Sequence, residues 1–175
     1  MRLANRNNIF LIILSVSIII IAFFIYQQYF TNDSYQNQID NQNLRNIFYN
    51  YLHQTKRDWN YITPKELNER IKDGNGNNIF LLDVRKPSDY HQSHIPGSVN
   101  IFWLDLLKEK NLRKLPKDKE IIIICYVGHT ASQILVLLKL LGYNAKVLKF
   151  GMGISPDPNV PISGWSRSGY ITERD

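Results

Sequence analysis

The chain has 175 residues, 44% of them hydrophobic, which is enough for one buried core and excludes a disordered or fibrous protein. Its formal charge of +6 is spread along the sequence and broken by acidic residues, so no concentrated basic field exists and nucleic acid is not the expected partner. A single cysteine excludes an intramolecular disulfide and leaves one thiol to be tolerated or used.

Residues 9–26 are apolar except for Ser15 and Ser17. About 18 residues at ~1.5 Å each cover roughly 27 Å, close to the hydrocarbon thickness of a bilayer. Arg2 and Arg6 precede the run, whereas residues 27–55 carry only Asp33, Asp40 and Arg45. The positive-inside rule then predicts that residues 1–30 form a signal-anchor crossing the cell membrane once, with the rest of the chain extracytoplasmic. The rival reading is a cleaved secretory signal, although no A-x-A-like site follows the core; a buried core helix is a third.

Residues 31–57 read as a polar linker. The stretch 27–46 is rich in Asn and Gln, the composition of a flexible spacer. Leu44, Ile47, Phe48, Tyr51 and Leu52 follow at helical spacing and predict a short amphipathic helix, whose stripe would pack on the domain that follows, a second copy or the membrane surface.

Residues 58–175 form the remaining domain. Thr63-Pro64-Lys65-Glu66 is a capping box with proline at the first helical position, predicting a helix over 64–72 that stops at Asp73 and Gly74. A loop over 74–78 leads to a buried strand over 79–84, at whose end Asp83 and Arg85 are placed to form an ion pair tying the strand to a neighbouring loop. His94-Ile95-Pro96-Gly97 reads as a tight turn braced by His94, followed by a short strand over 99–101 and an amphipathic helix over 103–111.

The stretch IIIICYVGHTASQILVLLKLL, residues 121–141, organises the domain. An unbroken β-branched run, Ile121 to Ile124, fits a parallel strand covered on both faces. Ile134, Leu135, Leu138 and Leu141 recur at helical spacing and Gly142 ends the helix. Cys125 therefore sits on the loop between strand and helix. Backbone N–H groups of Tyr126, Val127, Gly128, His129 and Thr130 would curl toward its sulfur, in a nest that favours an anion, and the thiolate is the reactive form. Gly128 permits the curl. A last strand is predicted over 145–149, then a long loop over 151–164.

The loop CYVGHT resembles the active loop of the rhodanese (sulfurtransferase) family, C-x-x-G-x-[RT], and LLDVRKPSDYHQSHIPGSVNI at residues 81–101 resembles its other signature, D-V-R-x-x-x-x-(F/Y) followed by H-I-P-G-(A/S). WSRSGY at 165–170 is similar to the closing W-x-x-x-G-Y, although the family's G-M-x-x-W is stretched here by an insertion. The resemblance spans residues 61–170 in one unit, without an internal repeat. It implies an α/β fold: a rhodanese-like three-layer domain with a central, mostly parallel sheet flanked by helices, preceded here by the transmembrane helix.

It further implies that catalytic Cys125 takes sulfane sulfur from a small donor as a persulfide and passes it to a thiol or cyanide, with Tyr126, Val127, Gly128, His129 and Thr130 binding substrate and no metal or organic cofactor. Thr130 and Tyr126 stand where many family members carry basic residues, so this loop offers a dianion such as thiosulfate no permanent counter-charge. A sulfur-carrying or sensing module with little thiosulfate turnover is the alternative. Phosphatases of this fold have a longer loop ending in arginine, which CYVGHT lacks. His91 and His94 are spaced as a ligand pair that Cys125 and His129 would complete, but a zinc-bound Cys125 would not be a nucleophile.

Overall fold

The computed structural model describes residues 3–54, 60–155, 157, 159 and 161–175. These divide into two compact units, Met1–Asn50 and Tyr51–Asp175. The last four residues of helix α1, Leu3–Gln54, belong to the second, and the rest of the helix makes up the first. Within it Leu14–Asn32, of mean hydropathy 1.6, is long and apolar enough to cross a membrane. The stretch 27–46, expected as a flexible spacer, is helical here. It holds neither proline nor glycine to break the ladder, and Thr31 Oγ1 donates back to the Gln27 carbonyl at 2.9 Å. The linker end expected at residue 57 lies outside the described residues.

The second unit contains, in order, β1 (Tyr61–Ile62), α2 (Pro64–Lys72), β2 (Ile79–Asp83), α3 (Pro87–Gln92), β3 (Val99–Asn100), α4 (Glu109–Leu112), β4 (Glu120–Ile124), α5 (His129–Leu140) and β5 (Ala145–Leu148). The capping box is complete: Glu66 N–H donates to Thr63 Oγ1 at 3.2 Å and Thr63 N–H to Glu66 Oε2 at 2.8 Å. That backbone N–H and the Thr63 hydroxyl hold the Glu66 carboxyl below the usual carboxylate range.

All five strands are parallel, in the order β1-β5-β4-β2-β3. The β-branched run of β4 is explained by its place: Ile121, Ile122, Ile123 and Ile124 are all fully buried, as a central strand covered on both sides requires. Ile121 and Ile123 meet Ala131, Ile134, Leu135 and Leu138 of α5. Ile122 and Ile124 meet Ile62, Leu67 of α2, Met152 and Trp165 on the opposite face. Each such side chain contributes about 1.5–3 kcal/mol on burial, so β4 is the keel of the domain.

The helix expected over 103–111 is instead a 3-10 turn, Trp103–Asp105, and the single turn of α4. Its apolar spacing is real, but the Asp105 carbonyl accepts the Lys108 N–H at 3.1 Å and the Asn111 side-chain amide at 2.8 Å, closing an i to i+3 turn braced by a side chain where a continuous helix uses i to i+4 bonds. The loop at 74–78 similarly tightens into a 3-10 turn, Asn75–Asn78.

From β2 the chain moves outward to β3, and from β4 it moves the opposite way to β5. The loops leaving the carboxyl ends of β2 and β4 therefore diverge over adjacent strands, and a crevice opens between them.

Candidate active site

Cys125 is the first residue beyond β4 and is 2% exposed. Its Sγ accepts the Gly128 N–H at 3.1 Å and the Ala131 N–H at 3.4 Å. Gly128 reaches this geometry at φ 100°, where a side chain would be strained. Ala131 lies one residue beyond the donors expected from sequence: the nest extends into the first turn of α5, where N–H groups have no intrahelical acceptor. Two aligned N–H dipoles thus face the sulfur in a water-poor setting, the arrangement that stabilises a negative charge there.

The loop is held from below by the segment after β5. Met152 N–H donates to the Cys125 carbonyl at 2.8 Å and Gly153 N–H to that of Tyr126 at 3.0 Å. This close approach requires glycine at 151, where a Cβ would stand 2.2 Å from the Cys125 carbonyl oxygen at φ +52°. Gly151→Ala is expected to cost about 1–3 kcal/mol and to slow reaction of Cys125 with an alkylating probe, read by thermal unfolding and the labelling rate. An unchanged midpoint and rate would show that the loop is not set by this contact.

Asp83 and Arg85 form a fully buried pair. Arg85 Nη2 lies 2.7 Å and Nε 3.0 Å from Asp83 Oδ2, and the second Arg85 Nη2 bond reaches the Ser93 carbonyl at 2.7 Å. As expected from the sequence, the pair ties the end of β2 to a neighbouring loop. His94 is buried too: its Nδ1–H donates to the Tyr90 carbonyl at 2.9 Å, and Nε2 lies 3.3 Å from Glu173 Oε1. The ring thus reaches α3 and the carboxyl-terminal segment and makes no bond within residues 94–97; the turn is braced indirectly, through Glu173 Oε1, which accepts the Gly97 N–H at 3.1 Å.

Tyr126 joins the two loops. Its hydroxyl donates to Asp89 Oδ2 and accepts the Lys86 N–H at 3.4 Å, and the Arg85 guanidinium lies 5.9 Å from its ring centroid. Burial, with the Asp89 carboxylate beside it, pushes the phenol up from its ordinary value.

A cleft of about 450 Å³ opens above the sulfur, lined by Lys86, Cys125, Tyr126, Val127, His129, Thr130, Ile154 and Ser155. Four of the expected binding residues, Tyr126, Val127, His129 and Thr130, line it. Gly128 faces the sulfur through its backbone and borders an adjoining cavity of about 520 Å³ with Lys149 and Phe150. Sequence reasoning missed Lys86, Ile154, Ser155, Asp89 and Ala131. For Lys86 a signal existed, since it directly follows the Asp83-Val84-Arg85 block at a strand's carboxyl end. The permanent cation that the CYVGHT loop lacks thus enters from the other loop.

Residues 63–153 match the rhodanese-like domain family. Among curated proteins the chain is 27% identical over 110 residues to a sulfurtransferase of Allochromatium vinosum, covering 63% of this chain and 91% of that protein. It is 34% identical over 76 residues to the thiosulfate:glutathione sulfurtransferase of Saccharomyces cerevisiae, covering 37% of this chain and 55% of that one. The adenylyltransferase and sulfurtransferase uba4 of Ogataea parapolymorpha is 35% identical over 88 residues, or 47% of this chain, which spans only 22% of that protein. Among solved structures, a Bacillus halodurans protein superposes with a TM-score of 0.58 at 25% identity, covering 71% of this chain and 83% of its own. A rhodanese-related protein of Thermoplasma volcanium gives 0.54 at 25%, covering 66% and 98%. With the family matched over more than half its length and the fold shared, this chain belongs to the rhodanese-like domain family.

Proposed function

We propose that the protein is a rhodanese-type sulfurtransferase whose Cys125 thiolate attacks a sulfane sulfur, holds it as a persulfide and yields it to a thiol or cyanide. The observation that carries this reading is the Sγ of Cys125, at the floor of an open cleft, receiving N–H bonds from Gly128 and Ala131. The terminal sulfur of a persulfide would extend from Sγ into the cleft among Tyr126, Val127, His129 and Thr130. Donors already aimed at the sulfur need not reorganise during transfer, and in other enzymes removing one such donor costs about 10²–10³ in rate. The chemistry is carried by sulfur alone, without metal or organic cofactor.

Near-complete burial of Cys125 favours a second reading, a carrier that shelters its persulfide and turns over slowly. Intact-protein mass spectrometry after incubation with a sulfur donor is expected to show one added sulfur on Cys125. Its release within seconds on adding cyanide or a thiol supports the transferase, and persistence supports the carrier. No added sulfur from any donor would sink both.

Residues 1–30 are proposed to anchor the chain in the membrane through one span, with 31–57 as linker and the domain over 58–175 extracytoplasmic. Leu14–Asn32 and the charge bias of Arg2 and Arg6 support this. Protease added to intact cells is expected to digest the domain. Its complete protection beside an equally protected cytoplasmic control would overturn the orientation.

A further inference from the structure

Lys86 is the one lysine or arginine among the described residues that line the Cys125 cleft. It follows β2, is separated from Cys125 by 38 intervening residues in sequence, and reaches the same cleft because the two loops leave neighbouring parallel strands paired at Asp83 and Ile124. Its backbone is held in place. Lys86 N–H donates to the Tyr126 hydroxyl at 3.4 Å, and its carbonyl accepts the Asp89 and Tyr90 N–H groups at 3.0 and 3.1 Å. Asp89 and Asp83 each lie three residues from Lys86; the Asp89 carboxylate is engaged by the Tyr126 hydroxyl and by Ser88 Oγ at 3.4 Å. Asp83 is bound by Arg85 within the core. The ammonium, on an exposed side chain, is left to meet what enters the cleft.

We propose that Lys86 is a specificity-determining residue that selects sulfane-sulfur donors bearing an anionic group beyond the transferred sulfur, an inference that rests on persulfide formation at Cys125. With thiosulfate, the Cys125 thiolate bonds to the outer sulfur. The S–S bond to the sulfonate sulfur breaks, and its electron pair departs with sulfite, so a monoanion and a dianion give a monoanionic persulfide and a dianionic sulfite. No oxidant or proton is consumed. The dianionic end must be accommodated as it enters and as it leaves, and an ammonium hydrogen-bonded to the sulfonate oxygens favours both. A donor whose far end is an alkyl group gains less from it, because it enters with no charge there and only the departing alkylthiolate, a monoanion, meets the ammonium.

The test compares the full chain with its Lys86→Gln and Lys86→Arg variants, using sodium thiosulfate and an alkyl persulfide as donors and reading kcat/KM together with sulfur loading of Cys125 by mass spectrometry. Lys86→Gln is expected to lose about tenfold with thiosulfate and less than about twofold with the persulfide, while Lys86→Arg stays within about threefold of the parent. Added salt should slow the parent with thiosulfate more steeply than the glutamine variant. An equal loss with both donors, no loss with thiosulfate, or a parent that loads sulfur from the persulfide and never from thiosulfate overturns the assignment while persulfide formation stands. A parent that loads sulfur from neither donor overturns the persulfide reading and the assignment with it.

Discussion

Cys125→Ser is expected to abolish sulfur transfer and leave the fold intact. A hydroxyl in place of the thiol can accept the same Gly128 and Ala131 N–H groups, so the nest is not emptied. The site is 2% exposed and packed among the apolar side chains around β4 and α5, where a smaller polar atom that keeps its partners should change stability by about 1 kcal/mol. Thermal unfolding should therefore move by no more than a few degrees. Chemically the change is complete, because serine oxygen cannot hold a persulfide and no second cysteine exists to replace it. Turnover with cyanide should fall to background and mass spectrometry should show no added sulfur. Sulfur transfer surviving in the variant would place the chemistry elsewhere.

The largest effect on stability is expected from Asp83→Ala. Both side chains of the Asp83–Arg85 pair are fully buried, and the carboxylate holds Arg85 through Nε and Nη2 while also accepting the Arg85 backbone N–H at 2.9 Å. Its removal leaves a guanidinium, always charged, in the interior with only the Ser93 carbonyl. Breaking a buried pair from one side costs about 3–5 kcal/mol, a large part of the roughly 5–15 kcal/mol that holds a domain together. The melting temperature should drop by more than about 10 °C. The double variant Asp83→Leu/Arg85→Met, which leaves no uncompensated charge, should recover much of the loss. A single variant within about 1 kcal/mol of the parent in denaturant unfolding would show that the pair is dispensable.

Much of the fold could be read along the chain because its determinants are local. The unbroken isoleucines of β4, the capping box before α2 and the apolar spacing of α5 each lie within about a dozen consecutive residues, and each specifies an element without help from elsewhere. The place of Cys125 follows directly, since a loop between a buried strand and a helix must present it at the strand's carboxyl end. The Asp83–Arg85 pair was legible for the same reason: two oppositely charged residues at a strand end cannot be buried apart.

Residues 103–111 show where such reading stops. Their apolar spacing predicts a helix, yet the Asp105 carbonyl takes the Lys108 N–H in a tighter turn together with the Asn111 amide, and local periodicity does not register a side chain sharing a backbone acceptor. In the cysteine loop, CYVGHT shows a cysteine and a glycine but not that Ala131, past the loop, would donate to the sulfur, because that depends on how tightly α5 begins. Lys86 marks the wider boundary. Strand pattern, caps, cysteine and ion pair were written in short-range chemistry; the cleft and the place of Lys86 in it arise because β2 and β4 are neighbours whose chains depart in opposite directions. Which two loops face each other is a property of strand order, set by packing across the whole sheet, and no window of consecutive residues contains it.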